Sequence, residues 1–197
     1  MKLSMKSLIA TGLIALSCTC SAFAAPTVES LVNEIGHGNG FYTLYTGMPI
    51  RDFLYNWEDI PGWEQKNTAK ENPQYAQYYY KRQYEINGSV VTEKVDVSTS
   101  SQKGSAYHIS WRLSSPNGRI IDEISYKIRK ELMKIYPEAK NFPNHYLAGK
   151  QKLPYIRTGR GNEKLYLYNV CEYTSKKQEK VSAYCLTVIY VQDLVER

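Results

Sequence analysis

The stretch YAQYYYKRQYEINGSVVTEKVDV, Tyr75–Val97, decides the fold. Its first half alternates, with Tyr78, Tyr80, Arg82, Tyr84 and Ile86 on one side of an extended strand, because successive side chains of a strand point to opposite faces. Asn87-Gly88 then supplies the two residues that tolerate positive φ in a tight hairpin turn. Val91, Val95 and Val97 share one face of the returning strand, Val90–Val97. After a serine-rich loop (Ser98–Ser105), Ala106–Leu113 places Tyr107, Ile109, Trp111 and Leu113 on one face. His108, Ser110 and Arg112 fall on the other. Three such strands predict an antiparallel meander.

A sheet with one apolar face needs a cover. Thr27–Gly36 predicts a short helix: Thr27 caps it, Val28, Leu31, Val32 and Ile35 form a stripe, and Gly36 ends it. Pro49–Trp57 predicts a second, with Pro49 at its first position and Ile50, Phe53, Leu54 and Trp57 on one side. Ile120–Tyr136 predicts a long amphipathic helix striped by Ile121, Ile124, Ile128, Leu132 and Ile135, and Pro137 stops it.

Leu165–Tyr173 and Val181–Val195 predict a C-terminal hairpin around the turn TSKKQEK. If that turn centres near Gln178, Cys171 and Cys185 stand directly opposite, close enough for a disulfide. Val181–Val195 is apolar on both faces, as a central strand is. The expected fold class is therefore α+β: two short N-terminal helices, an antiparallel β-meander, one long amphipathic helix and a disulfide-bearing C-terminal β-hairpin.

The N-terminus has the layout of an export signal. Lys2 and Lys6 precede the apolar run Leu8–Leu16, and Ala22 and Ala24 take the small-residue positions of a cleavage site. That run is short of the ~20 residues a bilayer-spanning helix needs. Residues 1–24 are thus expected to be a signal peptide and residues 25–197 a single domain, located in the periplasm, at the cell surface or outside the cell. Cys18 and Cys20 lie near the end of the run without a leucine three places before Cys18, which weighs against lipidation. An oxidising destination makes the Cys171–Cys185 bond the default.

Two compositional features bear on function. Residues 101–197 hold 17 Lys and Arg against nine Asp and Glu, whereas residues 25–100 hold six against ten. Tyrosine dominates the aromatics, at 18 against four Phe and three Trp. Tyrosine has an apolar body and a polar tip, which suits half-wet sheet faces and interfaces alike. The segment Asn141–Lys164 predicts a long basic loop with a short strand near Tyr155–Arg157.

Signs of catalysis are sparse. His37, His108 and His145 match no metal-ligand spacing, no GxSxG occurs, and the glycine-rich stretches at Gly36–Gly40 and Thr158–Gly161 lack the GK[ST] of a phosphate loop. Glu58, Asp59 and Glu64 could form a glycosidase pair, but acids near a helix end and turn are far better explained as solvent-facing. No catalytic residue, metal site or cofactor is assigned. The segment YTGMPIRDF, Tyr45–Phe53, leading into a helix and an aromatic meander, resembles the small exported modules of the outer-membrane-assembly lipoprotein and beta-lactamase-inhibitor-protein class. It departs from them at Pro49 and in lacking a lipidation box. The resemblance implies protein binding rather than catalysis.

The expectation is a non-catalytic exported module that binds a protein, or an anionic envelope polymer, through its tyrosine-rich sheet and basic loop. The expected contacts are Trp63, Tyr146, Lys152, Tyr155, Arg157 and Arg160. Nucleic acid is not an expected partner. The alternatives are an envelope-acting hydrolase using His108 or His145 with a carboxylate, and a basic wall-associated structural protein.

Overall fold

The computed structural model describes residues 25–36, 38, 40–52, 63–67, 75–100, 104–147, 152–159, 162–174 and 180–193. The expected signal peptide lies outside them, as do most of the expected helix Pro49–Trp57, His37, and the acids Glu58 and Asp59.

The strands are β1 (Glu64–Asn67), β2 (Tyr75–Ile86), β3 (Ser89–Ser100), β4 (Ser105–Ser115), β5 (Tyr146–Leu147), β6 (Tyr155–Arg157), β7 (Glu163–Tyr173) and β8 (Val181–Gln192). They form one eight-stranded sheet in the order β1-β2-β3-β4-β8-β7-β5, with β6 also paired to β7. Every pairing is antiparallel except the short parallel β5–β7 contact. The β2–β3 turn has Asn87 at φ 50° and Gly88 at φ 72°, the left-handed pair its sequence demands. Strand β8 lies between β4 and β7, paired on both edges as a central strand.

The expected fold class needs correction here. A separate meander and disulfide-closed hairpin do not exist: β4 pairs with β8 over His108–Ser115, merging both into a single sheet that dominates the described chain. The partner of β4 is some 70 residues downstream, so its choice is set by packing across the sheet rather than by any local signal.

The disulfide is overturned as well: Cys171 and Cys185 are free. Cys171 pairs with Tyr184 and Cys185 with Val170, one residue away from the symmetric register. A one-residue offset sends the two side chains to opposite faces of the sheet. No bond can then form between them, whatever the closeness of their backbones.

The inner face carries Tyr78 and Tyr80 (β2), Val91, Val95 and Val97 (β3), Ile109, Trp111 and Leu113 (β4), Leu165 and Leu167 (β7) and Leu186, Val188 and Tyr190 (β8), all buried. Helix α1 (Val28–Ile35) starts on a reciprocal Thr27–Ser30 capping box and buries Val28, Leu31, Val32 and Ile35. Helix α2 (Gly118–Ile135) starts on Asn117, whose side chain accepts from the Arg119 amide, and buries Ile120, Ile121, Ile124, Ile128 and Leu132. It packs on β4 and β8, with α1 alongside. Each buried Ile or Leu contributes about 1.5–3 kcal/mol, against about 0.5–1 kcal/mol of lost rotamer entropy. Packing, more than the modest helix propensity of isoleucine, holds α2 in place.

Two free thiols predict that alkylation in denaturant without reductant labels the peptides of both Cys171 and Cys185. Without denaturant, half-exposed Cys171 should label well before buried Cys185. Mass spectrometry reads both, and a single unlabelled, linked peptide pair would restore the bond.

Candidate functional site

The inner face contains charges as well as hydrocarbon. Glu93 follows the alternation of Val91, Val95 and Val97 and is 0% exposed. A lone buried carboxylate costs several kcal/mol, so it must be satisfied where it stands. Trp111 Nε1 donates to Glu93 Oε1 at 2.6 Å, Arg82 Nε to Oε2 at 2.7 Å and the Tyr84 hydroxyl to Oε2 at 3.0 Å. The Tyr42 hydroxyl donates to Oε1 and itself accepts from Arg82 Nη2 at 2.8 Å. Register accounts for the core of this network, since Arg82 stands directly opposite Glu93.

The guanidinium of Arg82 also lies 4.3 Å from the Trp63 ring centroid, with Tyr84 at 5.2 Å and Tyr42 at 5.6 Å. Burial works to lower the Arg82 pKa, but Glu93 and Tyr42 outweigh it and raise it. Burial and the Glu93 charge push both tyrosine hydroxyls far above the usual phenol range, so they stay neutral and can donate to the carboxylate. Glu93 is thus enclosed by four donors, and the arrangement is a clamp.

A second buried glutamate, Glu163 at 0% exposure, accepts from Thr158 Oγ1 at 2.5 Å and from the Thr46 hydroxyl. Tyr42 and Thr46 belong to one segment, Phe41–Met48, which also bonds to the start of β4 through Gly47 N to Ala106 O at 2.7 Å and Ala106 N to Met48 O at 2.9 Å. Tyr42 is held at φ 53°, which costs a non-glycine residue roughly 1–2 kcal/mol. Gly40 beside it has no alternative, because a Cβ there would lie 1.9 Å from Leu44 O.

A third inner cluster lies under α2. Arg129, 8% exposed, gives Nη2 to Asn169 Oδ1 at 3.2 Å and Nε to Ser125 Oγ at 3.3 Å. Burial lowers its pKa to about 10.

The outer face is polar and half-exposed. At the β6–β7 edge, Tyr155 and Arg157 stand opposite Tyr166 and Lys164. The two tyrosine rings are 5.5 Å apart, and Lys164 Nζ lies 5.2 Å from the Tyr155 ring while pairing with Asp193 at 2.6 Å. Across β1–β4 an open hollow of about 480 Å³ is lined by Lys66, Tyr79, Lys81, Lys94, Asp96 and Arg112, among others. Burial raises the Asp96 carboxyl, opposed by Lys94 and Arg112. His108, on the same face, is pushed down by burial.

The expected site residues do not meet at one place. Tyr155 and Arg157 are exposed together on the outer face, and Lys152 is exposed just before them. Tyr146 is half-buried, pairs in register with Asn169 and packs edge-on against Tyr184 at 5.2 Å. Trp63 sits at the far edge of the sheet against Arg82, within the clamp. Arg160 lies outside the described residues. Tyr79, Lys81, Lys94 and Asp96 lie on the polar side of the meander, where the apolar periodicity that marks a strand gives no sign of a site. The same alternation that buried Tyr78, Tyr80 and Val95 places these four outward.

No family model, curated protein or solved structure matches this chain. Among the described residues, no three His, Cys, Asp or Glu side chains are grouped to hold a metal ion, and no helix is long and apolar enough to cross a membrane.

Replacing Glu93 with Ala should cost about 3–5 kcal/mol, because it leaves the Arg82 charge unpaired at a largely buried site. Thermal unfolding should show a drop in Tm on the order of 10 °C. For His108 the folded pKa lies below the unfolded value near ~6.5. Its contribution to stability is therefore present above that value and lost as pH falls through the folded pKa. Urea midpoints measured at neutral and mildly acidic pH should fall less steeply with acid in His108→Gln than in the parent.

Proposed function

We propose that this protein is an exported, non-catalytic binding module that recognises a protein partner with the outer β6–β7 edge of its sheet. One observation carries the reading: Tyr155, 43% exposed, pairs across the strands with Tyr166, has Lys164 against its ring, and is followed two residues on by Arg157, which pairs with Lys164. Large aromatic surface and cations on a paired strand form a rigid platform, and tyrosine and arginine are the residues that anchor protein interfaces. The excess of Lys and Arg over residues 101–197 favours a partner with an acidic surface. Export rests on the N-terminal segment alone, with its basic start, apolar run and small-residue site.

The double variant Tyr155→Ala/Arg157→Ala should fold with stability within about 0.5 kcal/mol of the parent, since both residues are exposed. Its capture of partner from the native envelope fraction should fall at least tenfold, and moderate salt should weaken capture by the parent chain. Unchanged capture by the double variant would remove this edge from the interface. Capture of an envelope polymer in place of a protein would reassign the partner.

A further inference from the structure

The outer side of β2, β3 and β4 contains a row of like charges. Lys81 stands directly opposite Lys94, and Lys94 directly opposite Arg112. Adjacent strands are about 4.8 Å apart, so three cations follow one another at that step. Like charges facing each other across a strand pair weaken the pairing.

Direct ion pairs form only at the ends of the row, while Asp96 beside its middle interacts with Lys94 and Arg112 at longer range. Lys81 has Glu64 at 3.9 Å, and Arg112 gives Nη2 to Glu172 at 2.6 Å and to Cys185 Sγ at 3.3 Å. Lys94, in the middle, makes no ion pair among the described residues. The Nε of Arg112 is buried without a hydrogen-bond partner. Over this row lies the hollow of about 480 Å³, where four cations face two acids, Glu64 and Asp96.

We propose that the hollow binds an acidic sugar, a uronate or a sugar phosphate. Its carboxylate or phosphate is held by Lys94 and Arg112, its hydroxyls donate to Asp96, and its carbon framework lies against the ring of Tyr79. The volume falls in the range of small-molecule sites, well beyond what a bare inorganic anion fills. Asp96 decides the class of ligand. Among cations it supplies a hydrogen-bond acceptor, which a sugar's hydroxyls satisfy and a further carboxylate would repel. An extended acidic peptide fits less well, because its same-side residues repeat at about 6.6–6.8 Å, against about 4.8 Å for the cation row. The site uses β1–β4 and does not depend on the protein-binding edge at β6–β7.

The test is calorimetric titration of the full chain with D-glucuronate, glucose 6-phosphate, D-glucose, inorganic phosphate and tetraglutamate. Saturable binding is expected for the two acidic sugars, at least tenfold tighter than for glucose or inorganic phosphate. Lys94→Gln and Arg112→Gln should each weaken it at least tenfold. Lys94 is exposed, so its variant tests the site even if Arg112→Gln folds poorly. Asp96→Asn should weaken the acidic sugars and leave any phosphate binding unchanged or stronger. Absence of saturable acidic-sugar binding would overturn the proposal. So would binding of inorganic phosphate as tight as that of glucose 6-phosphate, or tighter binding of tetraglutamate. Partner capture in the Tyr155→Ala/Arg157→Ala variant is a separate readout, so either proposal can fail alone.

Discussion

Two carboxylates buried on the inner face, Glu93 and Glu163, organise much of what surrounds them. Each is fully removed from water and must find donors there. Both draw one from the same short segment: Tyr42 bonds to Glu93 and Thr46 to Glu163. Phe41–Met48 is thereby fastened at two points across the sheet, from β3 to β7. Its backbone bonds to Ala106, and Phe41 meets the buried Tyr190 ring at 5.3 Å. A segment with little regular structure of its own becomes part of the core, and the unfavourable φ of Tyr42 persists because the hydroxyl has a fixed acceptor.

The same clamp explains why the aromatic residues divide as they do. Trp63, Tyr42 and Tyr84 surround the Arg82 guanidinium, which is itself bound to Glu93. Their ring faces and hydroxyls serve a cation belonging to the chain. Tyr155, Tyr166 and Tyr79 lie on the other side of the sheet, at its half-exposed face. Counting tyrosines cannot separate the two groups, whereas strand parity does: even-numbered Tyr78, Tyr80 and Tyr84 go inward on β2, and Tyr79 goes outward.

This parity also marks what the sequence made legible. The Asn87-Gly88 hairpin, the alternation on β2–β4 and the central character of β8 all rest on local rules of turn geometry and side-chain period. The joining of β4 to β8 is a choice between distant strands, and no local rule records it. The cysteine pairing failed for a different reason. Symmetry about Gln178 placed Cys171 and Cys185 opposite each other, and an offset of one residue put them on opposite faces of the sheet. Period-2 reasoning is robust along a strand and unforgiving between strands. Glu93 was hidden because a glutamate in the run TEK looks like a solvated residue; its position in phase with three valines was the available sign. Among the site residues, Tyr155 and Arg157 came together because they share a short strand, while Tyr146 and Trp63 depended on tertiary contacts.

The two faces of the sheet also differ in how they treat charge. On the inner face Glu93 receives four donors, so a potentially destabilising group becomes an anchor. On the outer face Lys81, Lys94 and Arg112 stand in line, with direct ion pairs only at the ends of the row. A sheet with no other requirement would alternate the signs of such a row, since opposite charges across a strand pair stabilise it and like charges oppose it. The row survives because β3 and β4 are bound through Val95, Val97, Ile109, Trp111 and Leu113 beneath it, all buried on the inner face. Apolar burial of that extent outweighs the mutual repulsion of half-solvated cations. Local conflict tolerated on a well-anchored framework is the pattern expected where a surface is shaped for a ligand rather than for stability.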